Sequence, residues 1–382
     1  MTDRLISHIR SLEGEMFELL KKLVLIQSGT HNKAGLDLMA GTVGEVLANI
    51  PMIVEILPMD ECGNMVLART GKAREDKSVL LVGHMDTVFP EDTQFNYYRE
   101  DSSKAYGPGV MDMKGGLVVG VFALKALRET GLLDHIPVTV FFNSEEEIGS
   151  PYSRKMIEEL AVQSRAAFVL EGGGLDSQVV VGRKGKIGFD ILVNGQAGHA
   201  GCAGPDKPSA ILEAAYKIIA FEKLNQPPDI LVNVGLVNGG MSPNSIAANA
   251  CLSVDVRFSR SEDADLLMDR ITQISRTNRV MGTLSEVRIS SSRPPMQTNQ
   301  DIEKLYTLAL ETARKHGLPL SAETRGGVSD ANFIAAMGVP VLDGLGPCGD
   351  LDHSEHEYII KKTMVERTIL LAGCLIEASA MK

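Results

Sequence analysis

The chain has 382 residues, 44% hydrophobic and 23% charged, an ordinary globular composition at a length that predicts two domains. Lys and Arg number 38 against 49 Asp and Glu, and the net charge of −11 argues against nucleic acid or an anionic membrane as a partner. Met1–Lys22 has no continuous apolar run, the longest apolar stretch (Gly115–Leu124) is too short for a bilayer, and five scattered cysteines form no CxxC, so a cytoplasmic protein with reduced thiols is expected.

In chain order, Ile6, Ile9, Leu12, Met16, Leu19, Leu23 and Ile26 recur at spacings of three and four and predict one opening amphipathic helix. Val79–Val82 is a short apolar run of the buried-strand kind. Gly116–Thr130 reads as a helix closed by Gly131, Val138–Phe142 as a strand, Ser153–Val162 as a helix and Ala166–Leu170 as a third strand. This alternation predicts an α/β fold with a mostly parallel sheet flanked by helices. The rhythm changes near Gly182. Ile187–Val193 alternates apolar and polar as a one-sided strand does, a helix runs from Pro208 to about Leu224, strands follow at Ile230–Val237 and Ala248–Phe258, then a helix at Glu262–Arg279 and a strand at Glu286–Ser290. The result is a β-α-β-β-α-β insert, after which the first pattern resumes at Asp301. Three segments are therefore expected: 1–184 and 295–382 forming one domain, and 185–294 inserted as another.

Polar residues gather where three apolar strands end: Gly83-His84-Met85-Asp86, then Asn143-Ser144-Glu145-Glu146-Glu147, then Glu171. In a parallel α/β sheet, the crevice beyond the carboxyl ends of the strands is where ligands bind. Asp112 joins them if the loop Gly107–Asp112 leads into the following helix. Several carboxylates and a histidine in one cleft repel one another unless a cation neutralises them. With no clustered Cys, the donors are oxygen and nitrogen, which suit Zn²⁺, Mn²⁺ or Co²⁺ in a hydrolytic site. The C-terminal segment offers His353 and His356 as further donors. Glu147 reads as a solvated residue at a helix start, where acids are common.

The blocks Gly83-His84-Met85-Asp86-Thr87-Val88, Ala105–Gly116 and Asn143–Ser150 together resemble those of the M20 metallopeptidase family, nearest in pattern to its glutamate carboxypeptidase branch. The resemblance runs from about residue 10 to the C-terminus. It implies a catalytic domain with an inserted ferredoxin-like lid and dimerisation domain, two divalent metal ions (zinc first, cobalt or manganese as alternatives), and an amide bond cut by a water bridging them. Asp112 would bridge both metals, with His84 and Glu171 completing one site and His353 and Glu146 the other. Here the family spacing selects His353 over His356. Glu145 would be the general base and Asp86 would orient His84. A cis peptide is implied after the bridging Asp, at Asp112-Met113. In the insert, His199 would stabilise the oxyanion in a partner subunit, which implies a homodimer. Asn244 and Arg257 match the insert's other polar positions, Arg293 would clamp a substrate carboxylate, and Gly327 lies in a loop beside that pocket. Taken alone, Arg257 also suits pairing with an acid in the sheet.

The substrate implied is a small peptide or N-acyl amino acid with a free carboxylate. The branch's Lys shortly after the position of Glu171 is missing here, where the chain reads Gly172-Gly173-Gly174-Leu175-Asp176-Ser177-Gln178-Val179, and that argues against a glutamate preference. The alternative activity is N-deacylation of an acetyl- or succinyl-amino acid by the same mechanism. A more distant alternative is a non-catalytic ligand-binding protein of this fold, for which a general base would have no use.

Overall fold

The computed structural model describes residues 3–50, 52–74 and 76–381; residues 1, 2 and 382, the outer ends of the expected segments, lie outside them. Two compact units emerge. One comprises Met1–Gly182, Thr298–Thr324 and Ser329–Lys382, and the other Arg183–Gln297 with Arg325–Val328. The short piece Arg325–Val328 departs from the expected 295–382 segment. Its backbone is held within the second unit, where Lys184 N–H donates to Arg325 O at 3.1 Å, Arg183 to Gly327 O at 3.0 Å and Arg257 to Gly326 O at 3.4 Å.

The first unit is built on a six-stranded sheet ordered Ile53–Leu57, Met65–Arg69, Val138–Asn143, Ser78–His84, Ser164–Val169 and Val341–Leu342. The last four strands pair in parallel, while the first two join as an antiparallel hairpin and edge. Every residue of Ser78–His84 is buried, as its central place between parallel neighbours requires, and this explains the uninterrupted apolar run. The helix Gly115–Glu129 buries twelve of its fifteen residues and is apolar nearly all round, the pattern of a helix enclosed in a core. A side chain at Gly116 would collide with the carbonyl of Leu170, so this glycine sets how closely the helix meets the strand end that leads to Glu171. Truncating Leu117 or Phe141, both fully buried here, should cost about 3 kcal/mol each.

The opening segment is two helices, Asp3–Ser11 and Glu13–Val24, where the periodicity predicts one. The chain is broken at Leu12, and the buried stripe runs through Leu5, Ile9, Leu12, Met16, Leu20 and Leu23 rather than Ile6 and Leu19. Helix Lys33–Ala48 and the hairpin that follows it were not anticipated. The helix is rich in Gly and small residues, and its polar side chains do not mark a clean face.

The second unit is a four-stranded antiparallel sheet ordered Ile230–Gly239, Asn249–Phe258, Gly185–Asn194 and Leu284–Arg293. Ile187, Phe189, Ile191 and Val193 alternate onto one face and pack with Ala210, Ala214 and Phe221 of helix Ala210–Glu222 and Leu267 and Ile271 of helix Glu262–Arg276. Pro208 precedes the first of these helices instead of opening it. Ser209 is the cap, its hydroxyl accepting from Leu212 N–H at 3.3 Å. The second helix ends on a buried lysine: Lys217 donates to the carbonyls of Ile274, Ser275 and Thr277 at 2.7, 2.9 and 2.7 Å. Among the described residues no helix is long and apolar enough to cross a membrane, and the five cysteines are free.

Candidate metal centre

The carboxyl ends of three parallel strands deliver the cluster. His84 closes Ser78–His84 and is 1% exposed, which a histidine tolerates only with both nitrogens engaged. Its Nδ1 lies 3.0 Å from Asp86 O and 3.3 Å from Asp86 Oδ1. Its Nε2 lies 2.9 Å from Asp112 Oδ1 and 3.7 Å from Glu171 Oε1. Asp112 reaches His353 with its other oxygen, 3.2 Å from Nε2, and that nitrogen is 3.4 Å from Glu147 Oε2. Asp112 precedes a cis peptide to Met113, as the resemblance implies, and His353 sits at a positive φ of 60° in a turn.

Glu171 enters from the end of Ser164–Val169, and Asp112 from the loop that opens the buried helix. His356 stays exposed, with its N–H on Ser354 Oγ at 3.2 Å. Ligand atoms of His84, Asp112 and Glu147 lie within 4.8 Å of one another, as do those of Asp112, Asp352 and His353. The two donor groups share Asp112. Asp352, exposed and adjacent to His353, is a donor that the sequence pattern did not single out.

The glutamate triplet sits one register away from the expectation. Glu145 was expected to face the cluster as base and Glu146 as ligand, with Glu147 solvated. Instead Glu145 is fully buried, and its carboxylate accepts Tyr152 N–H at 3.3 Å and Ser153 N–H at 3.1 Å. Glu147 is the residue whose carboxylate meets His353, and its side chain is 7% exposed. The physical reason is Asp86. Its two oxygens accept the backbone N–H groups of Glu146 and Glu147 at 3.1 and 3.2 Å, pinning the short turn Glu146–Ile148 from which the Glu147 side chain reaches His353. Three identical residues in a row carry no sequence signal for that rotation. Glu146 precedes Glu147 in the turn, and its backbone N–H is held by Asp86 at 3.1 Å.

The electrostatics are those of a well for cations. Burial and the Asp112 charge push the Glu147 carboxyl up to about 8, and the same two causes hold Glu171 well above its ordinary range. Hydrogen bonds to Asp112 and Glu147 push His353 up to about 11. Burial opposes protonation of His84, yet Asp112 and Asp86 hold it well above the usual imidazole value. Against the upward push of burial, the imidazoles of His353 and His84 hold Asp112 well below the carboxylate range. Burial carries Glu145 up to about 7, helped by Asp330 and Asp86.

These residues fit a divalent metal. The donors are imidazole and carboxylate, the set that Zn²⁺, Co²⁺ and Mn²⁺ accept, and Glu147 Oε1 is buried without a hydrogen-bond partner among the described residues. Such an atom is costly to desolvate unless something positive meets it.

The remaining expected residues lie in the second unit. His199, exposed, accepts Gly201 N–H on Nδ1 at 3.1 Å, and the strand Gly198–His199 pairs with Ser245–Ile246 beside Asn244. Asn244 accepts Ala200 N–H on its backbone carbonyl at 2.9 Å and Ser242 Oγ on its side chain at 2.6 Å. Arg257 is bound by both oxygens of Asp255, at 2.7 and 3.2 Å, so its fork is engaged within the sheet. Arg293 ends the strand Leu284–Arg293 at 3% exposure, and Gly327 is exposed with its carbonyl on Arg183.

Known proteins are similar to this chain in sequence and in fold. The family model described as peptidase family M20/M25/M40 matches residues 80–377. Carboxypeptidase G2 from Pseudomonas sp. (strain RS-16) is 29% identical over 367 residues, covering 94% of this chain and 88% of the relative. A succinyl-diaminopimelate desuccinylase from Helicobacter hepaticus is 28% identical over 309 residues, covering 74% and 76%. A tripeptidase structure from Staphylococcus aureus superposes with a TM-score of 0.82 at 22% identity, covering 97% of this chain and 99% of that one. The chain belongs to peptidase family M20/M25/M40, on the side of its glutamate carboxypeptidase-like branch, and is a hydrolase of the metallopeptidase and amidohydrolase kind.

Proposed function

We propose that this protein hydrolyses the amide bond of a small peptide or N-acyl amino acid carrying a free carboxylate, with two divalent metal ions at the strand ends. The observation that carries the reading is that Asp112 stands between His84 and His353, 2.9 and 3.2 Å from their ring nitrogens, with Glu171 3.7 Å from the first ring and Glu147 3.4 Å from the second. His84 and Glu171 would hold one ion, His353 and Glu147 the other, with Asp112 common to both. When bound, such ions polarise the scissile carbonyl and acidify water. Glu146 takes the proton from the attacking water and passes it to the leaving amine. Glu145's engagement with Tyr152 and Ser153, and the hold of Asp86 on the Glu146 backbone, support that choice. Asp86 fixes the His84 ring and, through two backbone N–H groups, the glutamate turn.

Arg293 is the candidate clamp for the substrate carboxylate, a role suited to a guanidinium fork. Gly327, Asn244 and Arg257 are assigned to the substrate-binding surface on the family resemblance. We assign His199 to the oxyanion in a homodimer. The second unit supports a dimer by displaying Ile211, Leu212, Tyr216 and Ile219 as an exposed apolar stripe on one helix, beside exposed Leu236 and Val237 on an edge strand. A cytoplasmic location goes with this reading.

A deacylase removing acetyl or succinyl groups is the second reading, favoured by the relative named as a succinyl-diaminopimelate desuccinylase. Zinc- or cobalt-loaded protein assayed against dipeptides ending in Glu, Asp, Gly and Ala, and against N-acetyl and N-succinyl amino acids, separates the two. Turnover of any of these supports hydrolysis, and the preferred class selects the reading. Silence toward the whole panel with two metals bound would favour a ligand-binding role instead.

A further inference from the structure

We propose that Glu357 is a positioning residue for the metal centre: its carboxylate sets the backbone of Gly109–Asp112 and thereby the aim of Asp112. The proposal rests on the two-metal reading above. Glu357 is fully buried, and its two oxygens gather three backbone donors. Oε2 accepts Gly109 N–H at 2.9 Å, and Oε1 accepts Met111 N–H at 2.8 Å and Asp112 N–H at 3.0 Å. Charge-assisted bonds of this kind are about twice as strong as neutral ones, and three of them converge on one short loop. Gly109 itself stands at a positive φ of 74°, where the chain reverses before the buried helix.

The same residue reaches the other half of the centre through the chain. Glu357 follows His353 by one turn, in which Ser354 N–H donates to Leu351 O at 3.2 Å and Glu357 N–H to Ser354 O at 3.2 Å. It then opens the strand Tyr358–Ile360, which pairs antiparallel with Lys104–Tyr106, the strand that feeds the Asp112 loop. Glu357 thus ties the segment bearing His353 to the segment bearing Asp112, whose side chains meet at 3.2 Å. A glutamine has one accepting oxygen and an NH₂ group, so it would set a donor against at least one of the three N–H groups. A carboxylate is therefore required at this position by the geometry of the loop.

The test compares E357Q, E357D and E357A with the unaltered protein. Cobalt affinity is read by competition with a chromophoric chelator, the cobalt absorption bands by spectroscopy, and the fold by the melt of the metal-free chain. Loss of an outer support of this type weakens metal binding by about 10- to 100-fold. We expect that loss in E357Q with shifted cobalt bands, partial recovery in E357D relative to E357A, and a cooperative metal-free melt. Equal affinity with unchanged bands in E357Q overturns the proposal, as does loss of the cooperative melt in all three variants, which would make Glu357 a determinant of the fold alone. Unaltered protein that binds no cobalt would instead overturn the two-metal reading itself.

Discussion

Asp86 holds Glu147 by its backbone: the carboxylate Oδ2 accepts the Glu147 N–H at 3.2 Å, while Oδ1 lies 3.3 Å from the His84 ring. One buried acid therefore sets two donors at once, and Thr30 fixes that acid in turn by donating to Oδ2 at 2.7 Å. Asp86→Ala should weaken binding of both metal ions by about 10- to 100-fold. Thr30→Val removes only the outermost bond and should cost less than Asp86→Ala in the same chelator competition.

The three consecutive glutamates should separate cleanly by phenotype. Glu147→Gln should lose one of two bound ions. Glu146→Gln should keep both ions and lose about 10²- to 10⁴-fold in kcat, the range for removal of a general base. Glu145→Gln should keep both ions and most of the turnover, and show its effect in thermal stability. Metal content by elemental analysis beside kcat distinguishes all three, and a turnover collapse in E145Q with E146Q unaffected would restore the register expected from sequence.

Dimerisation is tested on the helix Ala210–Glu222, where Ile219 is 54% exposed and Leu212 40%. Placing Glu at both positions should convert a dimer to a monomer in sedimentation velocity, with the two units still folded. A wild-type chain that sediments as a monomer while fully active would remove His199 from the oxyanion role.

Lys217 gives a prediction of pH dependence. Its buried ammonium satisfies the end of helix Glu262–Arg276 and lies 3.2 Å from Glu213, yet burial outweighs that partner and lowers its pKa. Below the ordinary lysine value of about 10.4, the unfolded chain then binds this proton more tightly than the folded one. This group's contribution to stability therefore rises with pH through the window between its folded and unfolded values. Lys217→Met should lose that rise and cost about 3 kcal/mol by leaving Glu213 without its counter-charge. Denaturant melts of both proteins, stepped upward in pH toward about 10.4, read the difference.

Strand-end chemistry was largely legible in the sequence. Continuous apolar runs mark parallel strands, and polar residues immediately after them mark a crevice, so the approach of His84 and Glu171 was legible from the residues, while the part of Asp112 and His353, which meet there too, was implied by the family resemblance. What the sequence hid was rotational. The Glu145–Glu147 register depends on backbone hydrogen bonds to Asp86, sixty residues away, and no local pattern encodes them. Glu357 belongs to the family spacing that selects His353, but its role was hidden, because its partners are three main-chain N–H groups rather than a side chain of complementary type. Leu12 broke the opening helix without Pro or a Gly at that position to announce it.

The central claim is tested most directly by stripping the protein with a chelator, titrating zinc back, and following hydrolysis of its best panel substrate against bound metal. The account predicts no turnover when stripped, and turnover restored as bound zinc reaches two ions per chain, one on the His84 side of Asp112 and one on the His353 side. Hydrolysis that persists in the fully stripped protein, or saturation with no metal bound, would contradict it.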